Sequence, residues 1–171
     1  MSYSLYDASI PLARDSLKSL SAILKKGEAA PNAASLPEAS IYADMKPLSF
    51  QVHVVTDIAQ KILARLTGKE PVLLENNLKT FADFHARIAQ VEELLAEADK
   101  DTINDYAGKD VPVGLAGRTV HMPGAAYVNG YGLPNLFFHL TTAYDILRKE
   151  GVPLGKIDYL TAFIAQYVTW E

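Results

Sequence analysis

The sequence contains no cysteine among its 171 residues. Disulfide bonds, catalytic thiolates and cysteine-ligated zinc are therefore excluded. It also has little clustered positive charge, because the net charge is −4 and the longest basic run is Lys25-Lys26. Proteins that bind nucleic acids need groups of Lys and Arg side chains facing the phosphates. We therefore expect no nucleic-acid partner.

Long apolar runs are missing as well. No uninterrupted stretch approaches the ~20 apolar residues that span a bilayer. The first ten residues, MSYSLYDASI, lack the basic segment followed by an apolar segment that marks a secretory signal. We expect no membrane partner and a cytoplasmic location. Dinucleotide, nucleophile-elbow and HExxH motifs are also absent, so no common catalytic motif identifies a reaction.

What the sequence does contain is apolar residues at helical spacing. In the first segment the intervals alternate between four and three residues, through Tyr6, Ile10, Ala13, Leu17, Leu20 and Leu24. A second helix is predicted between Pro47 and Gly68, with the same spacing in Leu48, Val52, Val55, Ala59, Ile62 and Leu66. Its apolar arc covers well over half of the helical wheel. This second helix is therefore expected to be central and buried on several sides.

Two further long segments complete the helical pattern. A third helix is predicted after Thr80, a candidate N-cap with Asp83 three residues later. A fourth is predicted from about Pro134 to Lys149, with Gly151 placed to end it. A shorter helix over about 156–168 ends the chain.

The stretch 101–132 differs from the rest because it is rich in glycine and has short alternating runs. Two short strands are predicted near 109–113 and 117–122, on either side of the letters GLAG. The predicted fold is therefore all-α. It is a four-helix bundle with a short β-hairpin-like insertion before the fourth long helix and a short C-terminal helix, forming a single domain over 1–171.

One histidine, His139, lies among large apolar residues of the fourth helix, in the stretch LPNLFFHLTTAYDILRKEGVPLGK. Asn135 precedes it by four residues and so shares its helix face. Two such side chains can point at one metal ion, and His53 on the second helix is the natural third ligand. The residues alone leave three roles open for His139: a packed core histidine, a metal ligand or an acid–base group. Asn135 can instead cap the first helical turn.

His53 lies in a narrow polar strip on the second helix, opposite the apolar arc. The strip comprises Ser49, His53, Thr56, Asp57 and Gln60. Either it faces water, or it lines a polar cavity at the mouth of the bundle. In the second case, Asp57 is placed to orient the His53 ring as a carboxylate behind a ligand. The tyrosines Tyr127, Tyr131 and Tyr144 are interpreted as packing residues.

Several stretches resemble the DinB/YfiT-like superfamily of bundle proteins, and within it a branch of fungal and bacterial proteins that share a domain of unknown function. The resemblance covers nearly the whole chain. It is carried by SLYDASIPL, LSAILKKGEA, PLSFQV and, most specifically, LPNLFFHLTTAYDILRKEGVPLGKIDYL. In that superfamily a histidine on the second helix joins a His-x-x-x-His or Glu-x-x-x-His pair on the fourth. Members with the full pattern bind a divalent metal, and some act in thiol-cofactor-dependent isomerisation, transfer or hydrolysis.

The resemblance implies that His53, Asn135 and His139 occupy the metal positions. It also implies a divalent metal such as zinc, nickel or iron. Asn135 departs from the pattern, since a histidine or carboxylate is expected there. Asp57 and Asn135 are the predicted ligand-binding residues, and no catalytic residue is identified.

Two functions follow from this pattern. The first is a metal-assisted enzyme that acts on a small organic molecule in a cavity between helices. The second is a non-catalytic bundle with a degenerate metal site, which binds a small molecule or forms a homodimer through the apolar surfaces of the second and fourth helices.

Overall fold

Residues 3–169 are described by a computed structural model that contains a helical bundle and one β-hairpin. The helices are α1 (Ile10–Glu28), α2 (Leu48–Thr67), α3 (Phe81–Ala96), α4 (Lys100–Asn104), α5 (Gly124–Tyr127), α6 (Leu133–Lys149) and α7 (Lys156–Ile164). The strands are β1 (Asp110–Leu115) and β2 (Arg118–Pro123). A 3₁₀ turn spans Ala33–Glu38, and a π-helical turn spans Val128–Gly132. Within residues 3–169, no helix is long and apolar enough to cross a membrane.

The bundle consists of the four long helices, α1, α2, α3 and α6. Helix α2 lies at its centre and packs against the other three, while α7 packs along α1. The apolar stripes predicted from the sequence meet in one continuous core, which includes Leu17, Leu20, Ile62, Phe84, Leu136 and Leu140. The predicted all-α bundle, with its hairpin insertion and C-terminal helix, is confirmed. The assignment of 1–171 to a single domain stays a prediction.

Local signals set the ends of the helices. Thr80 accepts a hydrogen bond from the Asp83 amide, and the Asp83 carboxylate accepts one from the Thr80 amide, which is the predicted capping box. Helix α2 ends where Gly68 takes a left-handed φ of 68°. A side chain at Gly68 would also collide with Tyr106, whose Oη would lie 2.0 Å from the added Cβ. Glycine is therefore required at this position on two grounds.

The hairpin pairs β1 with β2 in antiparallel register, from Asp110 opposite Pro123 to Leu115 opposite Arg118. Its two-residue turn, Ala116-Gly117, has positive φ at both positions, as tight hairpin turns require. Strand β1 therefore extends two residues closer to the turn than the sequence predicted, and β2 begins one residue later than predicted. Two side chains of β1, Val111 and Val113, are buried and anchor the hairpin on the bundle.

Helices α2 and α6 run antiparallel, which decides what faces each half of α2. Gln51, near the start of α2, contacts His139. Ile62, toward the end of α2, approaches Gly132, where an added Cβ would lie 3.3 Å from Ile62 Cγ1. The second half of α2 therefore faces the π-helical turn and the hairpin, and the first half faces the middle of α6.

Candidate functional site

His139 is half-buried on α6 and is held by a side chain of α2. Its Nδ1 lies 2.7 Å from Oε1 of Gln51. The Gln51 amide is itself oriented, because its Nε2 donates to the Lys46 carbonyl at 2.9 Å. The Gln51 oxygen must therefore accept, so Nδ1 of His139 carries the proton and Nε2 keeps its lone pair. Burial lowers the pKa of His139 below its ordinary value, which favours this neutral form.

His53 lies on a different side of α2. Its Nδ1 is buried and has no hydrogen-bond partner among the described residues. Burial is the main cause that lowers the pKa of His53, while the nearby Asp57 carboxylate opposes the change. The orienting bond expected from Asp57 is not formed. The Asp57 carboxylate instead accepts from Gln60 Nε2 at 3.1 Å and pairs with Lys61.

The Phe50 ring packs beside both histidines. Its ring centroid is 6.4 Å from that of His53 and 6.1 Å from that of His139. At 3.6 residues per turn, Gln51 and His53 lie about 160° apart on the wheel, with Phe50 between them.

The predicted metal ligands lie on α2 and α6, and the Phe50 ring packs beside both histidines. Asn135 is half-buried one turn before His139 and shares its face. Within residues 3–169, no group of three or more His, Cys, Asp or Glu side chains is placed to hold a metal ion. The bond from His139 Nδ1 to Gln51 leaves Nε2 free, as in a histidine that binds a metal, whereas Asn135 is a weak ligand for zinc. Metal binding stays a prediction that metal analysis can test.

The polar strip of α2 neither faces open water nor lines a metal cavity, because Ser49, Thr56 and Gln60 are buried. The connection from α2 to α3 covers part of it. Gln60 bonds both backbone groups of Val72, accepting from its amide and donating to its carbonyl at 3.1 Å each. The same connection is fastened to α3, since Arg87 donates to the Glu75 carbonyl at 3.0 Å. The strip therefore anchors a connecting segment.

A more enclosed site lies at the other half of α2. A cleft of about 200 Å³ opens between α2, the hairpin and the π-helical turn. It is lined by Lys61, Arg65, Val113, Gly114, Tyr127 and Tyr131. The two tyrosine rings lie side by side, with centroids 6.2 Å apart, and Tyr131 Oη donates to the Gly114 carbonyl at 3.5 Å. Tyr127, Tyr131 and Tyr144 pack in or against the core, as predicted, and Tyr127 and Tyr131 also form one wall of this cleft.

The charge in this cleft is positive. Lys61 is paired with Asp57, which stands behind it on α2. Arg65 is half-buried and belongs to none of the ion pairs found within residues 3–169. The arginines that donate hydrogen bonds in that range are Arg14, Arg87 and Arg148. No acidic side chain lines the cleft. Its unmatched charge is therefore the Arg65 guanidinium.

Burial raises the pKa of the Tyr127 phenol above its ordinary value. The Arg65 charge opposes that rise of the pKa, while Tyr131 and the Asp57 carboxylate add to it. The phenol therefore stays protonated at neutral pH and can donate a hydrogen bond. A guanidinium cation and a phenolic donor that line one small cavity favour a ligand rich in hydrogen-bond acceptors.

The sequence held two signals for this cleft. Asp57, Lys61 and Arg65 follow one another at intervals of four, so they share one face of α2. Tyr127 and Tyr131 repeat the same interval within the glycine-rich insertion. The π-helical turn that joins them has no sequence pattern of its own, although such turns are frequent at functional sites.

Comparison with known proteins agrees with the fold. A family described as "Domain of unknown function (DUF1993)" matches residues 5–160. The crystal structure of a DinB family member protein from Shewanella denitrificans is similar, with a TM-score of 0.81 and 32% sequence identity over 91% of each chain. No curated protein matches the sequence.

Proposed function

The chain belongs to the family described as "Domain of unknown function (DUF1993)" and has a DinB-like fold, and from its side chains we propose that it is a non-catalytic bundle that binds a small molecule. The observation that carries this proposal is the cleft of about 200 Å³ in which Arg65 has no partner among the described residues. The guanidinium lines this cleft without an acidic side chain beside it. Its paired donors therefore attract an acceptor-rich molecule that enters the cleft.

The histidine end of α2 supports the same conclusion. Gln51 accepts the Nδ1 proton of His139, and the Phe50 ring packs beside both histidines. Asn135 stands where the metal-binding pattern needs a histidine or a carboxylate. In this proposal the metal site is degenerate, and no step of the function passes through a metal.

The cleft is small for a drug-sized ligand, because typical ligand pockets measure ~300–1,000 Å³. A volume of about 200 Å³ corresponds to the space of about seven water molecules at ~30 Å³ each. The ligand in this proposal is therefore a compact molecule. The hairpin forms the outer wall of the cleft through the Val113 side chain, which faces the bundle, and the Gly114 backbone.

Filling the cleft provides the test. Ligand-observed NMR with a mixture of neutral, cationic and anionic fragments should detect binding to the native chain and to the control Gly108→Phe. Gly108 has open space around its Cβ position and does not line the cleft. Val113→Phe should abolish that binding, because Val113 faces the bundle and a larger side chain there occupies the cleft. Melting temperatures check that both variants are folded. Binding that is equal in Val113→Phe, or no fragment binding at all, would contradict the proposal.

Metal content tests the degenerate site separately. Protein purified without a tag or chelator should contain no stoichiometric zinc, nickel or iron by elemental mass spectrometry. Adding each metal should not raise the melting temperature of the native chain more than that of His139→Ala. About one metal ion per chain that is lost in His139→Ala would restore the metal-assisted enzyme.

A second role, homodimer formation, is favoured by the outer face of α6 and α7. The surfaces of α2 expected to pair are buried in the core instead. Helix α7, by contrast, has no buried residue, and Ile157 is 51% exposed. An apolar groove of about 270 Å³ lies beside it, lined by Thr141, Tyr144, Asp145, Lys156, Tyr159 and Leu160. We propose that a second copy of the chain covers this face.

The groove carries one charge of each sign, Asp145 and Lys156, and neither belongs to an ion pair within residues 3–169. Two-fold pairing can place each acidic side chain opposite a basic one, so the surface is complementary to itself. Light scattering should give twice the chain mass for the native protein and for the control Glu93→Arg on α3. Leu160→Arg should give a monomer. A monomeric native protein would contradict this role.

A further inference from the structure

The cleft combines a positive end with an apolar and aromatic body. The positive end is Arg65, with Lys61 one turn earlier on α2. The rest of the lining is the Val113 side chain, the Gly114 backbone and the two tyrosines. A neutral ligand would leave the guanidinium unmatched in a half-buried position, and a cationic ligand would be repelled by it. Only an anionic ligand satisfies that end of the cleft.

The Lys61 ammonium already has an acidic partner, so it attracts an anionic ligand less strongly than Arg65 does. Its ammonium pairs with Asp57, which also accepts from Gln60. This arrangement holds Lys61 in place through hydrogen bonds on one side of α2. Arg65 keeps its planar pair of donors, which match the two oxygens of a carboxylate.

The side chains that line the cleft indicate what the uncharged part of the ligand is. Tyr127 is only 3% exposed, so its ring is part of the floor of the cleft, and Val113 is 3% exposed on the facing strand. Aromatic and aliphatic walls favour an apolar group, and aromatic rings pair well with one another. A free inorganic phosphate would meet this charge but would leave the apolar walls without a contact.

We propose that the cleft binds a small organic carboxylate with an aromatic or aliphatic body, its carboxylate paired with Arg65 and its body against Tyr127, Tyr131 and Val113. This inference rests on the proposed function, because it names the ligand class of the same cleft. It assigns to Arg65 the role of specificity determinant. Asp57 is a positioning residue that holds Lys61.

The test compares matched ligands by isothermal titration calorimetry at low ionic strength. The probes are benzoate, phenylacetate and hexanoate, the corresponding neutral amides, and inorganic phosphate. Each is titrated up to about 10 mM, since a ligand of about nine heavy atoms binds weakly even when well placed. At least one carboxylate should bind the native chain at least tenfold more tightly than its amide. Added salt should weaken that binding.

Arg65→Gln should reduce carboxylate affinity by about tenfold or more, and Arg65→Lys should recover part of it because the charge returns without the planar fork. Melting temperatures check that the variants are folded. The matched control is Arg118→Gln on the exposed hairpin strand, which should bind like the native chain.

The remaining outcomes overturn the inference in distinguishable ways. If amides bind as tightly as carboxylates, Arg65→Gln has no effect and Val113→Phe blocks both, then the cleft binds small molecules but not by their charge. If phosphate binds through Arg65 and no carboxylate does, the assignment of an organic carboxylate as the ligand is wrong. If no probe binds and the wider fragment mixture is also silent, the proposed function itself fails.

Discussion

The two halves of α2 carry polar groups of different kinds. In the first half, Gln51 joins His139 to the Lys46 carbonyl, while Nδ1 of His53 has no partner among the described residues. In the second half, Arg65 lines a cleft without an acidic partner among the described residues. Both halves face the same antiparallel neighbour, the chain from the π-helical turn through α6. The difference lies in charge, because burial favours neutral histidines in the first half and the second half carries a permanent cation.

This difference gives the two halves different ligand preferences. Neutral imidazole nitrogens suit a metal ion, although Asn135 departs from the expected ligand pattern. A guanidinium that lines a cleft without an acidic partner suits an anionic ligand.

The largest effect is expected at the floor of the cleft. Tyr127→Ala should lower the free energy of unfolding by ~3–5 kcal/mol, as for other buried aromatic residues, because the ring is 3% exposed and packs in the core. Tyr127→Phe keeps the ring and should lose much less. Urea denaturation measures both changes. A loss below ~1 kcal/mol for Tyr127→Ala would mean that this wall is not part of the core.

The next largest loss of stability is expected for the hydrogen-bonded pair of Gln51 and His139. Gln51→Ala should cost ~1–3 kcal/mol, because it leaves Nδ1 of His139 half-buried without its partner. A double-mutant cycle with His139→Ala should show a favourable coupling of ~0.5–1.5 kcal/mol. If the two losses simply add, the hydrogen bond between Gln51 and His139 does not contribute in solution.

The pH dependence should follow the two histidines. Burial lowers the folded-state pKa of both His53 and His139 below the unfolded value of ~6.5. The unfolded chain therefore binds more protons below that value, and the folded state loses stability as the pH falls from about 7 toward 5. Urea midpoints across this range should decrease. The double variant His53→Gln, His139→Gln should flatten that slope, and an unchanged slope would assign it to other groups.

The smallest effect on stability is expected at Arg65. Arg65→Gln should change the free energy of unfolding by no more than ~0.5 kcal/mol, since the side chain forms no ion pair in the described part and only complements the C-terminal end of α2. The variant should nevertheless lose ligand affinity. A large loss of stability would make Arg65 a structural residue instead of a binding one.

Much of the fold could be predicted from the sequence because local signals and tertiary packing agree. The Thr80–Asp83 box, the left-handed Gly68 and the apolar stripes of the four long helices all act within a few residues. Strand β1 was predicted to end two residues too early because the turn needs only Ala116-Gly117, not the wider GLAG. The length of a strand depends on its pairing with the neighbouring strand, and the sequence of one strand does not show that pairing.

The candidate site was less predictable because it depends on which side chains meet across the bundle. The positions of His53 and His139 on their helices are correct, but no spacing reveals that the Phe50 ring packs beside both or that Gln51 bonds His139. Arg65 and Tyr131 come from segments far apart in sequence, and only the antiparallel register of α2 and the insertion brings them together. Their role as a pair follows from tertiary structure alone.

The most direct test of the central claim is an NMR titration of the ¹⁵N-labelled native chain with the tightest carboxylate. Ligand binding at the second half of α2 should shift the amide signals of residues 61–65, 110–116 and 127–132, and Arg65→Gln should suppress these shifts. The amides around Gln51 and His139 should move little. Shifts centred instead on residues 50–53 and 135–139 would place the ligand at the histidines and contradict the comparison between the two halves.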